Sequence, residues 1–356
     1  MNNIKRIQEK LIERNLDGIL ITDEKNQRFA TGFAFTDGIV LVTREKAFLM
    51  TDSRYIEAAE KTVSDEISVS MFGGGKKLSD LLIACIEDNR LERLGAEEQK
   101  LSYSMYRRYE TLLKRQLIPA QTLLSGLRMA KTQSETDCMK KAQAIAEKAL
   151  EEVLALIAPG MTERELAAEI NYRMMRNGAE GNSFDTIAVT GKNTSMPHGV
   201  PGDEPIKEGD FVTMDFGCVK NGYCSDMTRT VAVGYATEEM KNVYDIVLKA
   251  QLAGIAGARA GISGGDIDAM GRGVIAGAGF GEYFGHSFGH SLGLDIHEYP
   301  VASPNAGEIM PVGAVISAEP GIYIPGKFGV RIEDVLILKE DGCENITKAN
   351  KNLIIL

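Results

Sequence analysis

Gly209-Asp210-Phe211-Val212-Thr213-Met214-Asp215-Phe216-Gly217 recurs 104 residues later as Gly313-Ala314-Val315-Ile316-Ser317-Ala318-Glu319-Pro320-Gly321, aligned without a gap. Glycine falls on glycine at both ends, apolar on apolar through the middle, and Asp215 on Glu319. A short apolar run bounded by glycine reads as a buried strand. The acid near its end then sits at the rim or the middle of a sheet. Two such strands from duplicated halves can aim two acids at one point, which is how a metal site is built on a symmetry axis.

The repeat reaches further back. Gly160-Met161-Thr162-Glu163-Arg164-Glu165-Leu166 matches Gly261-Ile262-Ser263-Gly264-Gly265-Asp266-Ile267 at an offset of 101, and Gly178 matches Gly279. Each heptapeptide carries a hydroxyl with an acid three residues on, the capping box that opens a helix. Each half therefore reads as helix, glycine stop, then strands. A period near 100 residues is too long for a solenoid and implies one domain made of two related halves.

At 356 residues, two domains are the prior expectation, and 44% apolar residues can bury a sizeable core. A formal charge of −10 with no basic run argues against nucleic acid and against an anionic membrane surface. Five cysteines without paired spacing read as reduced thiols of a cytoplasmic protein. Met1-Asn2-Asn3-Ile4-Lys5 opens no apolar signal region, and no apolar run reaches membrane-spanning length.

The first ~125 residues read as an alternating α/β unit. Ile4, Ile7, Leu11 and Ile12 lie at helical spacing, and Gly18–Thr22 follows as a buried strand. Gly38–Val42 and Ala47–Met50 flank a polar turn as a hairpin, and Asp52-Ser53-Arg54-Tyr55 caps another helix. Gly73-Gly74-Gly75 before Lys76 lacks the spacing of a phosphate loop and reads as a turn. After a joint near Pro119–Gly126, Ser134 and Asp137 form a capping box for a helix running to about Ala158.

All four histidines, His198, His286, His290 and His297, fall in the duplicated region, each close to a glycine or an acid. Asp215 and Asp226 flank Asn221-Gly222, a strong hairpin signal. With those two residues as the turn, Lys220 opposes Tyr223 and Asp215 opposes Thr228. Asp226 then shares a face with Asp215 as its diagonal neighbour, about 7–8 Å away. Such a pair repels unless a cation lies between. In the second half, Glu319 repeats Asp215, and Glu333 lies three residues beyond the repeat of Asp226 after a longer turn, Pro325-Gly326-Lys327. Adding His290, four carboxylates and an imidazole exceed one tetrahedral zinc site and suit two neighbouring divalent cations. Oxygen-rich ligation favours Mn²⁺, with Co²⁺ and Zn²⁺ allowed by the imidazole.

The ordered set Pro197-His198-Gly199, Asp215-Phe216-Gly217, Ser225 to Arg229, Gly289-His290 through His297-Glu298, Glu319 to Tyr323 and Arg331 to Asp334 resembles the Xaa-Pro peptidase branch of the methionine aminopeptidase–creatinase superfamily. The resemblance implies an α+β chain. A creatinase-like α/β N-terminal domain over residues 1–125 precedes a pita-bread metallopeptidase domain of duplicated halves over 126–356. It implies Asp215, Asp226, His290, Glu319 and Glu333 as ligands of two ions, with Asp226 and Glu333 bridging. Glu319 would also accept a proton from the attacking water. His198 is similar to the histidine near the departing prolyl nitrogen, His297 to the one supporting the carbonyl oxygen, and His286 to the one lining the proline pocket. Arg331 and Thr228 would orient ligand carboxylates. Phe184 stands where the family often has tyrosine.

The implied activity is hydrolysis of X-Pro bonds at the N-terminus of di-, tri- or short oligopeptides by a metal-bridged hydroxide. The partners would be short proline-containing peptides and a second copy of the chain in a homodimer. A methionine aminopeptidase-like activity, or a non-catalytic peptide-binding role, is the alternative. The intact ligand set and the three further histidines favour an enzyme.

Overall fold

In a computed structural model of the chain, which describes residues 2–356, contacts divide the protein into two compact units, Met1–Arg128 and Met129–Leu356. The first is built on one six-stranded mixed sheet. Its fully buried strand Gly18–Ile21 pairs antiparallel with Gly38–Thr43 and parallel with Leu94–Ala96. Gly38–Thr43 turns back on Ala47–Thr51 with Val42 opposite Ala47, the expected hairpin. Helix Ile4–Glu13 buries Ile4, Ile7 and Leu11, but Ile12 is 61% exposed, because a stripe at i, i+3 and i+7 leaves the next position on the solvent side. Helix Ile56–Thr62 follows the Asp52 segment without a side-chain cap: the Asp52 carboxylate instead accepts from the Arg54 backbone and guanidinium. Gly73, Gly74 and Gly75 all adopt positive φ in a turn closed between Gly73 and Lys76, as the sequence predicts.

In the second unit the duplication is written in the backbone. Thr162 with Glu165 and Ser263 with Asp266 both form complete capping boxes, opening helices Glu163–Arg176 and Gly264–Gly277. The paired glycines share the left-handed conformation that a Cβ disfavours: Gly160 and Gly261 at φ 94° and 82°, Gly178 and Gly279 at 100° and 85°, Gly209 and Gly313 at 84° and 82°. Strand Phe211–Phe216 lies between Ile187–Thr190 and Met227–Ala232 in a three-stranded antiparallel sheet. Its counterpart Val315–Ala318 lies inside a five-stranded sheet beside Gly289–Ser291 and Asp334–Lys339.

Helices Gln133–Leu154 and Glu163–Arg176 pack Ala146, Leu150 and Ile170 against Met214 and Val231. In the second half Ile267 packs with Phe288, Ile316 and Leu336. A third core joins Phe211 of the first half to Tyr244, Val330 and Ile332 of the second. Both acid-bearing strands are thus held by apolar packing on either side.

The helix opening this unit corrects the sequence expectation. It runs Gln133–Leu154, capped by Thr132 and Glu135 rather than Ser134 and Asp137. The two boxes overlap, and the earlier one wins because Glu135 also accepts from the buried Tyr223 hydroxyl at 2.8 Å. Asp137 accepts from Gln133 instead. All five cysteines are free. Among the described residues, no helix is long and apolar enough to cross a membrane.

Candidate metal centre

The Asn221-Gly222 turn has both residues at positive φ, 50° and 80°, which sets the right-handed twist of a tight hairpin. Its register is the expected one, with Lys220 opposite Tyr223 and Asp215 opposite Thr228. Asp215 therefore leaves the end of its strand beside Thr228, and Asp226 sits in the break just before Met227. In the second half, hairpin Gly321–Ile324 and Phe328–Arg331 closes over a three-residue turn, delivering Arg331 and then Glu333. His290 comes from strand Gly289–Ser291, Glu319 from the end of Val315–Ala318.

These side chains converge. Ligand atoms of Asp226, His290 and Glu333 all lie within 4.8 Å of one another. His290 Nε2 is 3.6 Å from Asp226 Oδ2 and 3.3 Å from Glu319 Oε1. Arg331 Nη2 donates to Asp215 Oδ2 at 2.6 Å, and its Nε donates to Thr228 Oγ1 at 3.0 Å. Thr228 in turn donates to Glu333 Oε2 at 2.7 Å. The chain Asp215–Arg331–Thr228–Glu333 thus ties acids from both halves into one network. Nine of the ten site residues expected from sequence line one cavity of about 590 Å³. The tenth, Thr228, is fully buried behind it.

The electrostatics of this cluster favour positive charge within it. Burial, with the neighbouring Asp215 and Glu319 charges, pushes Asp226 well above the usual carboxylate range. Glu333 is raised likewise by burial, then by Asp226 and Glu319. Burial also raises Glu319, although His286 and Arg331 oppose it. His290 is lowered by burial and so is neutral at pH 7. Its Nδ1 faces the Ser291 carbonyl at 3.1 Å, which assigns the ring proton there. Nε2 then presents a lone pair to two carboxylates, a contact that repels unless a proton or a cation lies between them. Asp215 Oδ1 and Glu333 Oε1 are buried with no hydrogen-bond partner among the described residues. Lone pairs aimed inward from orphaned oxygens and an unprotonated imidazole fit divalent cations, and Asp215, Asp226, His290, Glu319 and Glu333 could hold them.

The remaining histidines surround this cluster. His297 stacks edge-on against His290 with centroids 4.5 Å apart, and His198 is exposed on the cavity wall. His286 has both ring nitrogens engaged, Nδ1 with the Ser287 carbonyl at 2.8 Å and Nε2 with the Tyr323 hydroxyl at 2.8 Å. Phe184 also lines the cavity.

Sequence reasoning left several supporting residues without a role. Tyr323 accepts from Arg331 Nη1 at 2.8 Å while bonding His286. Its place was readable, since a three-residue turn makes it the diagonal neighbour of Arg331. Ser317 donates to Glu319 at 3.0 Å and accepts from the His290 amide, and strand alternation already puts it on the Glu319 face. Lys131 pairs with Glu298 at 3.0 Å, both side chains buried. Asp268 and Arg272 hold the loop carrying His286. The i,i+4 spacing of Asp268 and Arg272 was readable as a helix-face ion pair, but no sequence pattern announces the reach of Arg272 to the loop carbonyls or the Lys131–Glu298 pair.

Duplicated halves contributing acids and an imidazole to one buried cluster define a metallohydrolase centre, and the comparisons specify its family. The chain belongs to metallopeptidase family M24, matched over residues 137–340, and carries a creatinase/prolidase N-terminal domain over residues 3–130. It is 36% identical to an Xaa-Pro dipeptidase of Pyrococcus horikoshii over 99% of this chain and 98% of that one. Among solved structures it is similar to an Xaa-Pro dipeptidase from Bacillus anthracis, with 41% identity, a TM-score of 0.95 and 99% of both chains covered. An X-Pro aminopeptidase from Thermotoga maritima matches at 36% identity and a TM-score of 0.93, covering 98% of this chain and 99% of that one. The catalytic unit has the pita-bread fold, and the resemblance read from the sequence to the Xaa-Pro peptidase branch is borne out. The protein is a metallopeptidase.

Proposed function

We propose that this metallopeptidase is an exopeptidase hydrolysing X-Pro bonds at the N-terminus of short peptides, working with two divalent ions, of which Mn²⁺ is the best match. The observation that carries this reading is the convergence of four buried or half-buried carboxylates and the unprotonated His290 Nε2 around two orphaned oxygens. The relatives bearing the names Xaa-Pro dipeptidase and X-Pro aminopeptidase support the proline specificity.

In this reading Asp215, Asp226, His290, Glu319 and Glu333 would hold the ions, with Asp226 and Glu333 supplying one shared carboxylate from each half. Bound divalent ions lower the pKa of a water toward neutrality and polarise the scissile carbonyl. Glu319, its Oε1 steadied by Ser317, would accept a proton from the attacking water. Arg331 and Thr228 hold Asp215 and Glu333 in orientation. Because the prolyl nitrogen cannot leave as an anion, His198 donates a proton to it as the C–N bond breaks. His297 steadies the carbonyl oxygen as charge builds there. His286 has no proton to give to substrate, since its Nδ1–H is spent on Ser287 and its Nε2 accepts from Tyr323. Its ring serves as a wall for the proline.

A homodimer in the cytoplasm completes the proposal, in keeping with the free thiols. The deciding experiment loads the protein with Mn²⁺ and compares Ala-Pro-Ala with Ala-Ala-Ala, with and without excess chelator. Strong preference for the proline peptide, abolished by chelation, is expected. Unchanged turnover in chelator would sink the metal reading, and equal cleavage of both peptides would sink the proline reading. Replacing His198 by Ala should lower kcat and kcat/KM together by about 10²–10⁴-fold, the usual worth of a general acid.

A further inference from the structure

The X-Pro reading leaves open where a substrate ends. A free dipeptide carries a carboxylate on the proline itself, whereas a longer peptide continues there as a neutral amide. A site built for the dipeptide needs a cation to meet that carboxylate, because a desolvated charge without a partner is strongly disfavoured.

Among the described residues, the cavity wall holds one basic side chain, Arg331. It is 4% exposed and its donors are committed: Nε to Thr228, Nη1 to Tyr323 and the Pro197 carbonyl, Nη2 to Asp215. Lys131 lies just behind the wall, but its side chain is 3% exposed and pinned to Glu298. The rim beside the histidines is instead apolar or acidic. Strand Glu298–Ala302 turns Tyr299 and Val301 to the cavity, with Tyr299 60% exposed and Val301 directly across from His290. The exposed Asp185 adds a negative charge with no ion-pair partner among the described residues. Of the four histidines on the wall, His290 is a proposed ligand, His286 has both ring nitrogens engaged by Ser287 and Tyr323, and His198 and His297 are assigned to the scissile bond.

From this wall we infer that the enzyme is an aminopeptidase on peptides continuing past the proline, and a poor dipeptidase. The inference rests on the X-Pro reading and adds the substrate length. An amide beyond proline meets no unfavourable charge on this rim, and Tyr299 and Val301 offer its side chain an apolar surface. With the acid cluster committed to the proposed ions, a free carboxylate on the proline would meet the exposed Asp185 on this rim and no cation of its own, and like-charge juxtaposition is how sites reject a ligand.

The test uses the Mn²⁺-loaded full-length enzyme and four substrates: Ala-Pro, Ala-Pro-amide, Ala-Pro-Ala and Ala-Ala-Ala. The amide and the tripeptide should both exceed Ala-Pro in kcat/KM by about tenfold or more, the factor that 1.4 kcal/mol of unmet charge produces. Most of the difference should lie in KM, because the carboxylate is remote from the reacting bond. Ala-Pro cleaved as well as its amide, or better, would overturn the inference while leaving proline specificity intact. Ala-Ala-Ala cleaved as fast as Ala-Pro-Ala would instead defeat the X-Pro reading, so the two failures are distinguishable.

Discussion

At Asp226 two demands oppose each other: it is 4% exposed, and it faces Asp215 and Glu319. Replacing it with Asn removes charge repulsion but also the carboxylate proposed to bridge two ions. Asp226→Asn should therefore abolish turnover while leaving the metal-free protein at least as stable as metal-free wild type, as thermal unfolding in chelator would reveal. Near-normal activity would show that this acid bridges nothing. The raised carboxylates also set a pH dependence. Burial and mutual repulsion raise Asp226 and Glu333 in the folded, metal-free state. A raised acid contributes stability that is fully present below its unfolded value, about 4, and lost as pH rises through the folded value. Ions bind the deprotonated forms, so the rise in Tm on adding Mn²⁺ should grow steadily from pH 5 to pH 8. An increment that is flat or falls over that range would contradict this account of the buried acids.

Among the elements, helix Gly264–Gly277 does more than pack. Its Asp268 and Arg272 form a bidentate pair at 2.6 and 2.8 Å. Arg272 donates to the carbonyls of Phe284 and His286, Asp268 accepts from the Phe288 amide, and the guanidinium lies 4.2 Å over the Phe284 ring. One ion pair thereby fixes the segment that presents His286 to the cavity and leads into His290. Arg272→Met leaves the buried Asp268 without its counter-charge, which costs up to about 3–5 kcal/mol. If the fold survives, the ratio of kcat/KM for Ala-Pro-Ala over Ala-Ala-Ala should fall, with metal content unchanged. Arg272→Lys should restore stability better than selectivity, because an ammonium cannot reproduce the fork. An unchanged ratio in Arg272→Met would show that the clamp does not shape the proline wall. The i,i+4 pairing itself is legible in sequence, but the reach of Arg272 to the loop is not, because a side chain meeting loop carbonyls has no period. Hairpins behave differently. Asn221-Gly222 fixed the register to the residue, and with it the placement of Thr228 against Asp215. Capping boxes are intermediate: Thr162 and Ser263 were legible, but Thr132 and Ser134 offered two overlapping frames, and a tertiary contact from Tyr223 chose between them.

Over the whole molecule, the offset of about 100 residues made the architecture of the catalytic unit readable before any coordinates, because matched glycines and matched acids mark equivalent backbone. The same duplication has a thermodynamic consequence. Asp215 and Asp226 belong to the first half, while His290, Glu319 and Glu333 belong to the second. Already in the protein alone, Arg331 reaches Asp215 and Thr228 reaches Glu333 across the pseudo-symmetric boundary. Ions held by both sets, as proposed, would stabilise the joined halves over any state in which either half opens. The gain follows mass action, about 2.7 kcal/mol when free metal is 100-fold above Kd. Hydrogen exchange should therefore slow on adding Mn²⁺ in strands of both halves together, Phe211–Phe216 and Met227–Ala232 in one, Val315–Ala318 and Asp334–Lys339 in the other. Asp226→Asn should remove the effect from both at once, although the residue lies in the first half. Protection confined to one half, or lost from one half alone in the mutant, would mean that the ions sit within a single repeat and do not hold the two together.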